Sequence, residues 1–494
     1  MLRRNIDLAW LDGPPIKWTK LAQRAPKAII VYITALIILR LFLSRFLEID
    51  EAQFVGQVDF GWNYGNSHPP LYNWLVRLAL ELTQWNWVFS VALVRLSLLG
   101  LYHWLSFDAA RRLAGDRAGI LALTASAFLP QIVWMSIQTT AHTILVMVAA
   151  VGIIHAYALM REGRGTAAFA WFGFWAAVGG LAKYNFFIFL VSFLLAAAWT
   201  PGIRRQLFRR QIWISFAIFA VAFAPVAVAS LRAPLAATAG RMEKLAHPVN
   251  YLQPLDVPHL GVDGLFSLSI STFLWAGPAL IIFIIGRTRD HPRPAPDGDP
   301  EVRFLLLRTI LIGLVAFAGL ILVADYHSVA ERYMAPILAP TAILLALSLP
   351  QILGARNILG IAGLAYILAP VAVAVIALFA TPRYTFPFDA VAQSIRAQNP
   401  APALIVSNRE DDAANIAALL RWPPERGAAN DVVLVWQDEN RPTDVENDLT
   451  AGLLPVGPTV RVTAPLRNYN GKLRTFNFQR YSSAPPTGVP NSGG

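Results

Sequence analysis

Ala28-Ile-Ile-Val-Tyr-Ile-Thr-Ala-Leu-Ile-Ile-Leu-Arg-Leu-Phe-Leu-Ser-Arg-Phe-Leu47 runs straight into Glu48-Ile-Asp-Glu-Ala-Gln53. A helix of about 20 largely apolar residues spans a bilayer. The chain therefore crosses a membrane here and places a carboxylate pair, Asp50 and Glu51, where it leaves. The basic stretch before it carries no short apolar core with a small-residue cleavage site, so it reads as the cytoplasmic start of an uncleaved first helix. A second polar segment follows, Gly65-Asn-Ser-His-Pro-Pro-Leu-Tyr-Asn-Trp74.

The whole chain repeats this pattern. Hydrophobic residues make up 56% of it and charged residues only 14%, more apolar surface than a water-soluble core would use. Spans are expected near 28–47, 89–107, 119–137, 141–160, 166–182, 185–200, 211–230, 265–286, 304–324, 333–349 and 357–380, about eleven in all. The basic clusters test that count. Arg111, Arg112 and Arg117, then Arg161 and Arg164, Arg204 to Arg210, Arg287 to Arg303, and Arg356 all fall on the N-terminal side of the membrane if the spans alternate. That is the cytoplasmic side under the positive-inside rule. The net charge of +11 is accounted for by these loops, and no basic soluble face for nucleic acid is read from it. There is no cysteine, which excludes disulfides and thiolate chemistry.

The same parity places the connections at 48–88, 138–140, 183–184, 231–264 and 325–332 outside. In the first of them, Leu71 to Leu82 has apolar residues at helical spacing and is expected to be an interfacial helix entered through Pro69 and Pro70, with Tyr72, Trp74 and Trp85 as anchors. Beyond residue 380 the long apolar runs end. Ala403 to Val406 and Val432 to Trp436 read as strands, with a helix between them over Asn408 to Arg421. Residues 1–380 are thus expected to form the membrane domain, 381–481 a small external α/β domain and 482–494 a disordered tail.

The external connections hold the residues suited to chemistry. Asp50 and Glu51 are either a solvated helix end or, beside a cavity at the membrane surface, a general base for an acceptor hydroxyl. Lys183 closes Gly179-Gly-Leu-Ala-Lys183, where the glycines allow close helix approach; it is either a snorkelling lysine or a fixed cation for a phosphate of a lipid carrier. Arg332 and Tyr333 lie at the equivalent depth. The guanidinium suits a phosphate, and the tyrosine suits a hydrogen bond or a stack against a sugar. Arg40 and Arg95 are further phosphate ligands or partners of the carboxylates. Tyr64, Tyr72, His142, Tyr184 and His327 are candidate contacts to sugar or acceptor. No P-loop, dinucleotide fingerprint or HExxH motif is present, and no histidine has metal-ligand spacing; a divalent metal bridging a phosphate stays open.

The order of an Asp-Glu pair after the first span, His68-Pro-Pro-Leu-Tyr-Asn-Trp74, Gly180-Leu-Ala-Lys183 and Arg332-Tyr-Met-Ala-Pro336 resembles the family 39 glycosyltransferases of the GT-C fold. The likeness extends over residues 28–350 and takes in aminoarabinose transferases, lipopolysaccharide galacturonic acid transferases and, more distantly, protein O-mannosyltransferases. It implies an inverting enzyme in a bacterial inner membrane, with its active site and C-terminal domain in the periplasm. A sugar would pass from a polyprenyl phosphate to a lipid, glycan or protein hydroxyl. Asp50 would be the catalytic carboxylate, Lys183 and Arg332 would hold the carrier phosphate, and His68 would stand near it. The chain departs from the pattern at His68, where aminoarabinose transferases have lysine, and at Thr140-Ala-His142, where many relatives have an acidic residue. A polyprenyl-lipid flippase or other transporter is the alternative reading, against which stand the lack of an internal repeat and the one-sided polar residues.

Overall fold

A computed structural model of the chain describes residues 16–52, 54–55, 68–138, 140–232, 262–287, 298–324, 326–327, 329–348, 355–379, 386–397, 404–407, 409–420, 431–437, 453–466 and 472–483. The helices up to the break after residue 232 are α1 (Trp18–Leu43), α2 (Ile49–Ala52), α3 (Leu71–Leu82), α4 (Trp87–Ser126), α5 (Ser136–Gln138), α6 (His142–Arg161), α7 (Gly165–Ala182), α8 (Phe186–Ala198), α9 (Pro201–Leu207) and α10 (Ile212–Arg232). There follow α11 (Val262–Arg287), α12 (Pro300–Ala324), α13 (Ala335–Leu338), α14 (Thr341–Ser348) and α15 (Ala355–Phe379). The last part of the chain forms α16 (Phe388–Arg396), β1 (Leu404–Ser407), α17 (Glu410–Leu420), β2 (Asp431–Gln437), β3 (Leu454–Pro465) and β4 (Leu473–Ser482). The predicted helix over 71–82 is present as α3, and the predicted strand, helix and strand as β1, α17 and β2. Tyr64 and the 482–494 tail lie, apart from Ser482 and Ser483, outside the described residues.

Among the described residues seven helices are long and apolar enough to cross a membrane: α1, α4, α6, α7, α10, α12 and the 358–379 part of α15. α8 and α9 make an eighth if they are one span bent by 115°. The chain is a multi-pass membrane protein. The segments expected at 89–107 and 119–137 both begin within α4, which is two helices meeting at a kink at Ala114 and Gly115. Gly115 has φ +87°, open to glycine and costly for other residues. The segment expected at 333–349 is divided at Pro340 into α13 and α14, since proline cannot donate within a helix.

The chain divides into two compact units. One comprises Met1–Leu36, Asn63–Tyr72 and Arg95–Val371. Its centre is α6, buried along nearly its whole length, as expected of a helix that is apolar on all sides. Small residues let neighbouring helices approach. A Cβ on Gly152 of α6 would lie 2.3 Å from the Trp175 ring of α7, and one on Gly173 of α7 would lie 2.7 Å from the Ser215 backbone of α10. The Ser215 hydroxyl donates to Phe169 O at 2.6 Å across that contact.

Polar groups inside this unit are joined to one another. Trp171 Nε1 donates to His155 Nδ1 at 3.2 Å, which leaves the imidazole proton on Nε2 to bond Asp108 Oδ2 at 2.9 Å. Arg111 and Arg112 close on the same carboxylate, and Arg112 also binds both oxygens of Glu162. Arg112 thus ties α4 to the end of α6 through Glu162, and His155 joins Asp108 of α4 to Trp171 of α7.

The second unit comprises Ile37–Trp62, Asn73–Val94 and Ala372–Gly494. Its sheet has the order β1-β2-β4-β3. β1 and β2 are parallel, which requires a crossover, and α17 provides it. β4 pairs antiparallel with both β2 and β3. Val433 and Val435 of β2, with Phe476 and Phe478 of β4, pack against Phe388, Val391 and Ile395 of α16 and Ile416 of α17. Phe46, from the segment between α1 and α2, is buried in this same core.

Replacing Gly152 with alanine is expected to overpack the α6 and α7 contact and cost about 1–3 kcal/mol. Thermal unfolding of the purified variant in detergent should show a lower midpoint than the parent; an unchanged midpoint would mean that the close approach at Trp175 does not hold this part of the bundle.

Candidate active site

Within the first unit, the sequence of α7 decides where Lys183 goes. Gly179 stands under Phe186, where a Cβ would come within 2.3 Å of the ring, so the chain turns sharply from α7 into α8. Lys183 sits at that turn with extended backbone, φ −164° and ψ 136°. It is only 3% exposed. Its Nζ donates to Thr143 Oγ1 at 3.2 Å and stands 5.3 Å from the centre of the Tyr333 ring. An ammonium held this deep in an apolar bundle is costly and is placed by hydroxyl and ring contacts.

Tyr333 is fixed in turn. Glu331–Tyr333 form one tight helical turn before α13, and Asn185, two residues past Lys183, donates Nδ2 to Tyr333 O at 2.8 Å. The Arg332 guanidinium lies 6.0 Å from the same ring. The extended segment before this turn is anchored on α11, where Ser267 and Ser271 both donate to Val329 O. Lys183, Arg332 and Tyr333, 149 residues apart from first to second (332 − 183), are therefore brought together.

Thr143 is the second residue of α6, and its neighbour His142 carries a further cluster. The His68 and His142 rings stack at 4.2 Å with 7° between their planes, and Tyr72 leans on His142 at 5.0 Å. His142 is buried and His68 half-buried. Arg95 is 1% exposed and donates Nη1 to Gln138 O at 2.7 Å, just before α6 begins. Two other candidates are engaged with different neighbours: Tyr184 shares a hydrogen bond with Ser230 at 3.1 Å, and His327 lies 3.9 Å from Asp263.

The carboxylate pair belongs to the second unit. Glu51 is 1% exposed and forms an ion pair with Arg40, Nη2 to Oε2 at 2.6 Å. Arg40 also donates to Ser44 O and Phe46 O. Of the two uses open to Arg40, binding phosphate or partnering a carboxylate, this geometry is the second. Asp50, one residue earlier on α2, stays partly exposed. The two acidic groups thus differ: Glu51 is a buried ion paired with Arg40, and Asp50 is partly exposed.

Among the described residues no group of three or more His, Asp or Glu side chains could hold a metal ion. Thr143 and Asn185, which orient the cluster, were not among the expected residues. Their only sequence signal is adjacency to His142 and to Lys183.

Residues 67–228 match the family model described as dolichyl-phosphate-mannose-protein mannosyltransferase. That stretch contains His68, Tyr72, Arg95, His142 and Lys183. The chain is 26% identical over 328 residues to the lipopolysaccharide core galacturonosyltransferase RgtA of Rhizobium johnstonii, covering 65% of this chain and 63% of RgtA. It is 25% identical over 303 residues to RgtB of the same organism, 60% of each chain. The chain thus spans somewhat under two thirds of these relatives. Its fold is similar to that of ArnT from Cupriavidus metallidurans bound to undecaprenyl phosphate, with a TM-score of 0.57 and 14% identity over 92% of this chain and 98% of ArnT. The expected resemblance is borne out, and the fold is of the GT-C type.

Arg40→Ala leaves Glu51 buried without its cation, a loss expected to cost about 3–5 kcal/mol. The double variant Arg40→Met with Glu51→Leu removes both charges and should recover most of it. Denaturant or thermal unfolding in detergent checks the order; a double variant no more stable than the single one would contradict it.

Proposed function

We propose that this chain is a glycosyltransferase that moves a sugar from a polyprenyl phosphate to a hydroxyl of a lipopolysaccharide or related glycolipid at the periplasmic face of a bacterial inner membrane. The observation that carries this reading is the cluster of buried Lys183, half-buried Tyr333 and exposed Arg332, set by Thr143 and Asn185. A cation fixed in an apolar setting, with a second at its exposed edge, suits the phosphate of a lipid whose tail stays in the bilayer. The likeness to RgtA and RgtB, and the undecaprenyl phosphate bound by ArnT, support the same substrate class.

The reaction follows from what must be stabilised. The acceptor oxygen attacks the anomeric carbon while the bond from that carbon to the phosphate oxygen breaks, and the bonding pair leaves with the phosphate. Negative charge therefore grows on the phosphate, and preorganised cations lower the barrier most where charge develops. Lys183 and Arg332 have this role, with His68 as a further contact. The acceptor proton goes to a carboxylate. Asp50 is that base, because Glu51 is occupied with Arg40. One displacement on one face of the sugar inverts its configuration. Half-buried Tyr333 is the ring that suits the sugar, whereas Tyr72 and His142 are buried against each other and His68, and Arg95 holds the segment leading into α6.

The test uses purified protein in lipid nanodiscs with a radiolabelled polyprenyl-phosphate sugar and membrane lipid acceptors. Asp50→Asn should lower turnover about 10²–10⁴-fold, the usual share of a general base. Lys183→Ala should weaken binding of the carrier and slow transfer. Equal turnover by Asp50→Asn and the parent would remove Asp50 as base. Movement of labelled lipid between leaflets with no sugar transfer would replace this reading with a flippase.

A further inference from the structure

The C-terminal domain has no part in the chemistry above, yet it shares one compact unit with the segment that carries Asp50. The joint between them is specific. Asn415 of α17 accepts the Leu47 N–H on Oδ1 at 2.7 Å and donates Nδ2 to Leu47 O at 3.2 Å, across 368 residues of chain. Nδ2 also donates to Asp411 O at 2.9 Å, which fixes the amide orientation. Asn415 and Leu47 are each 1% exposed. A carboxamide that pairs with both the N–H and the C=O of one residue imitates a neighbouring strand. Aspartate cannot donate in this way, and leucine can do neither.

Backbone groups on either side are accounted for as fully. Phe46 N–H donates to Ser44 Oγ, Phe46 O accepts from Arg40, and Glu48 N–H donates to Glu51 Oε2. Glu48 O accepts from Ala52 N at 2.7 Å. The Phe46 ring meets Phe388 edge-on at 5.3 Å within the domain core. A buried segment needs such satisfaction, and here Asn415 supplies both bonds at Leu47. The helix that follows, Ile49–Ala52, is four residues long. A single turn has no stability of its own, so its place is set by what precedes it.

We propose that the C-terminal domain is a clamp for the catalytic segment and that Asn415 is a positioning residue for Asp50. This rests on the reading of Asp50 as the base. The domain then contributes to turnover without touching sugar or phosphate. Its loss would let the segment shift and carry the carboxylate away from the acceptor hydroxyl, and a displacement of about 1 Å can cost on the order of 10²-fold in rate.

The test uses the full chain in nanodiscs and two readouts. In Asn415→Ala, hydrogen exchange at residues 46–52 should quicken while β2 and β4 stay as protected as in the parent, and kcat should fall about 10–100-fold with KM for the polyprenyl-phosphate sugar unchanged. Asn415→Asp keeps the acceptor for Leu47 N–H and loses the donor, so it should lie between Ala and parent in both readouts; it serves also if Asn415→Ala does not fold. Unchanged exchange at 46–52 in either variant overturns the clamp. Faster exchange there with an unchanged kcat, in an enzyme that Asp50→Asn inactivates, overturns the positioning role, as does a change confined to KM. If Asp50→Asn is as active as the parent, the assignment of the base has failed, and the exchange result still decides the clamp alone.

Discussion

Arg40 and Glu51 form an ion pair almost sealed from solvent, and much of the proposed catalytic arrangement depends on it. Either charge alone would be expensive so close to the end of an apolar helix. Together they fix the end of α1 to the short helix α2, since Arg40 also holds two backbone carbonyls in the turn between them. The pair has a chemical consequence as well. It occupies one carboxylate and leaves its neighbour, Asp50, partly exposed, so one dipeptide supplies a structural ion and a candidate base.

The same rule, that a charge inside an apolar chain must find partners, runs through the first unit. Asp108 is met by Arg111, Arg112 and His155 at the far end of α6 from His142, about 20 Å along the helix at 1.5 Å per residue. That network is satisfied internally and reads as a structural tie. The cluster at the near end differs in kind. Lys183 is placed by a hydroxyl and by an aromatic face shared with Arg332, so two cations share one ring where the other network pairs cations with carboxylates. One helix thus meets a polar network through His155 at one end and the Lys183 cluster through Thr143 at the other.

How much of this the sequence disclosed depended on the kind of signal. Lys183, Arg332 and the Asp50 and Glu51 pair were legible because charge beside a long apolar run is rare and costly. The glycines before Lys183 marked a close approach, and Phe186 is what approaches. Thr143, Asn185 and Asn415 were not legible, for neutral polar residues leave no mark on hydropathy or charge, and Asn415 meets its partner across 368 residues. Helix breaks divided in the same way. The Gly115 turn was anticipated as a loop, but the helix persists to it because Ala109 to Leu113 have no breaker. β3 was hidden by Pro455, Pro458 and Pro465, which an edge strand tolerates and a central one does not. The contribution of residues 37–62 to the C-terminal unit was likewise invisible, since packing between distant segments has no local period.

The most direct measurement of the central claim is the product itself. Nuclear magnetic resonance of the glycolipid formed from a polyprenyl-phosphate sugar of known configuration, with parallel quantitation of free polyprenyl phosphate, reports both the bond broken and the face attacked. The account predicts one equivalent of polyprenyl phosphate released per sugar transferred, with the anomeric configuration inverted. Retained configuration, or transfer without release of the carrier phosphate, would contradict it.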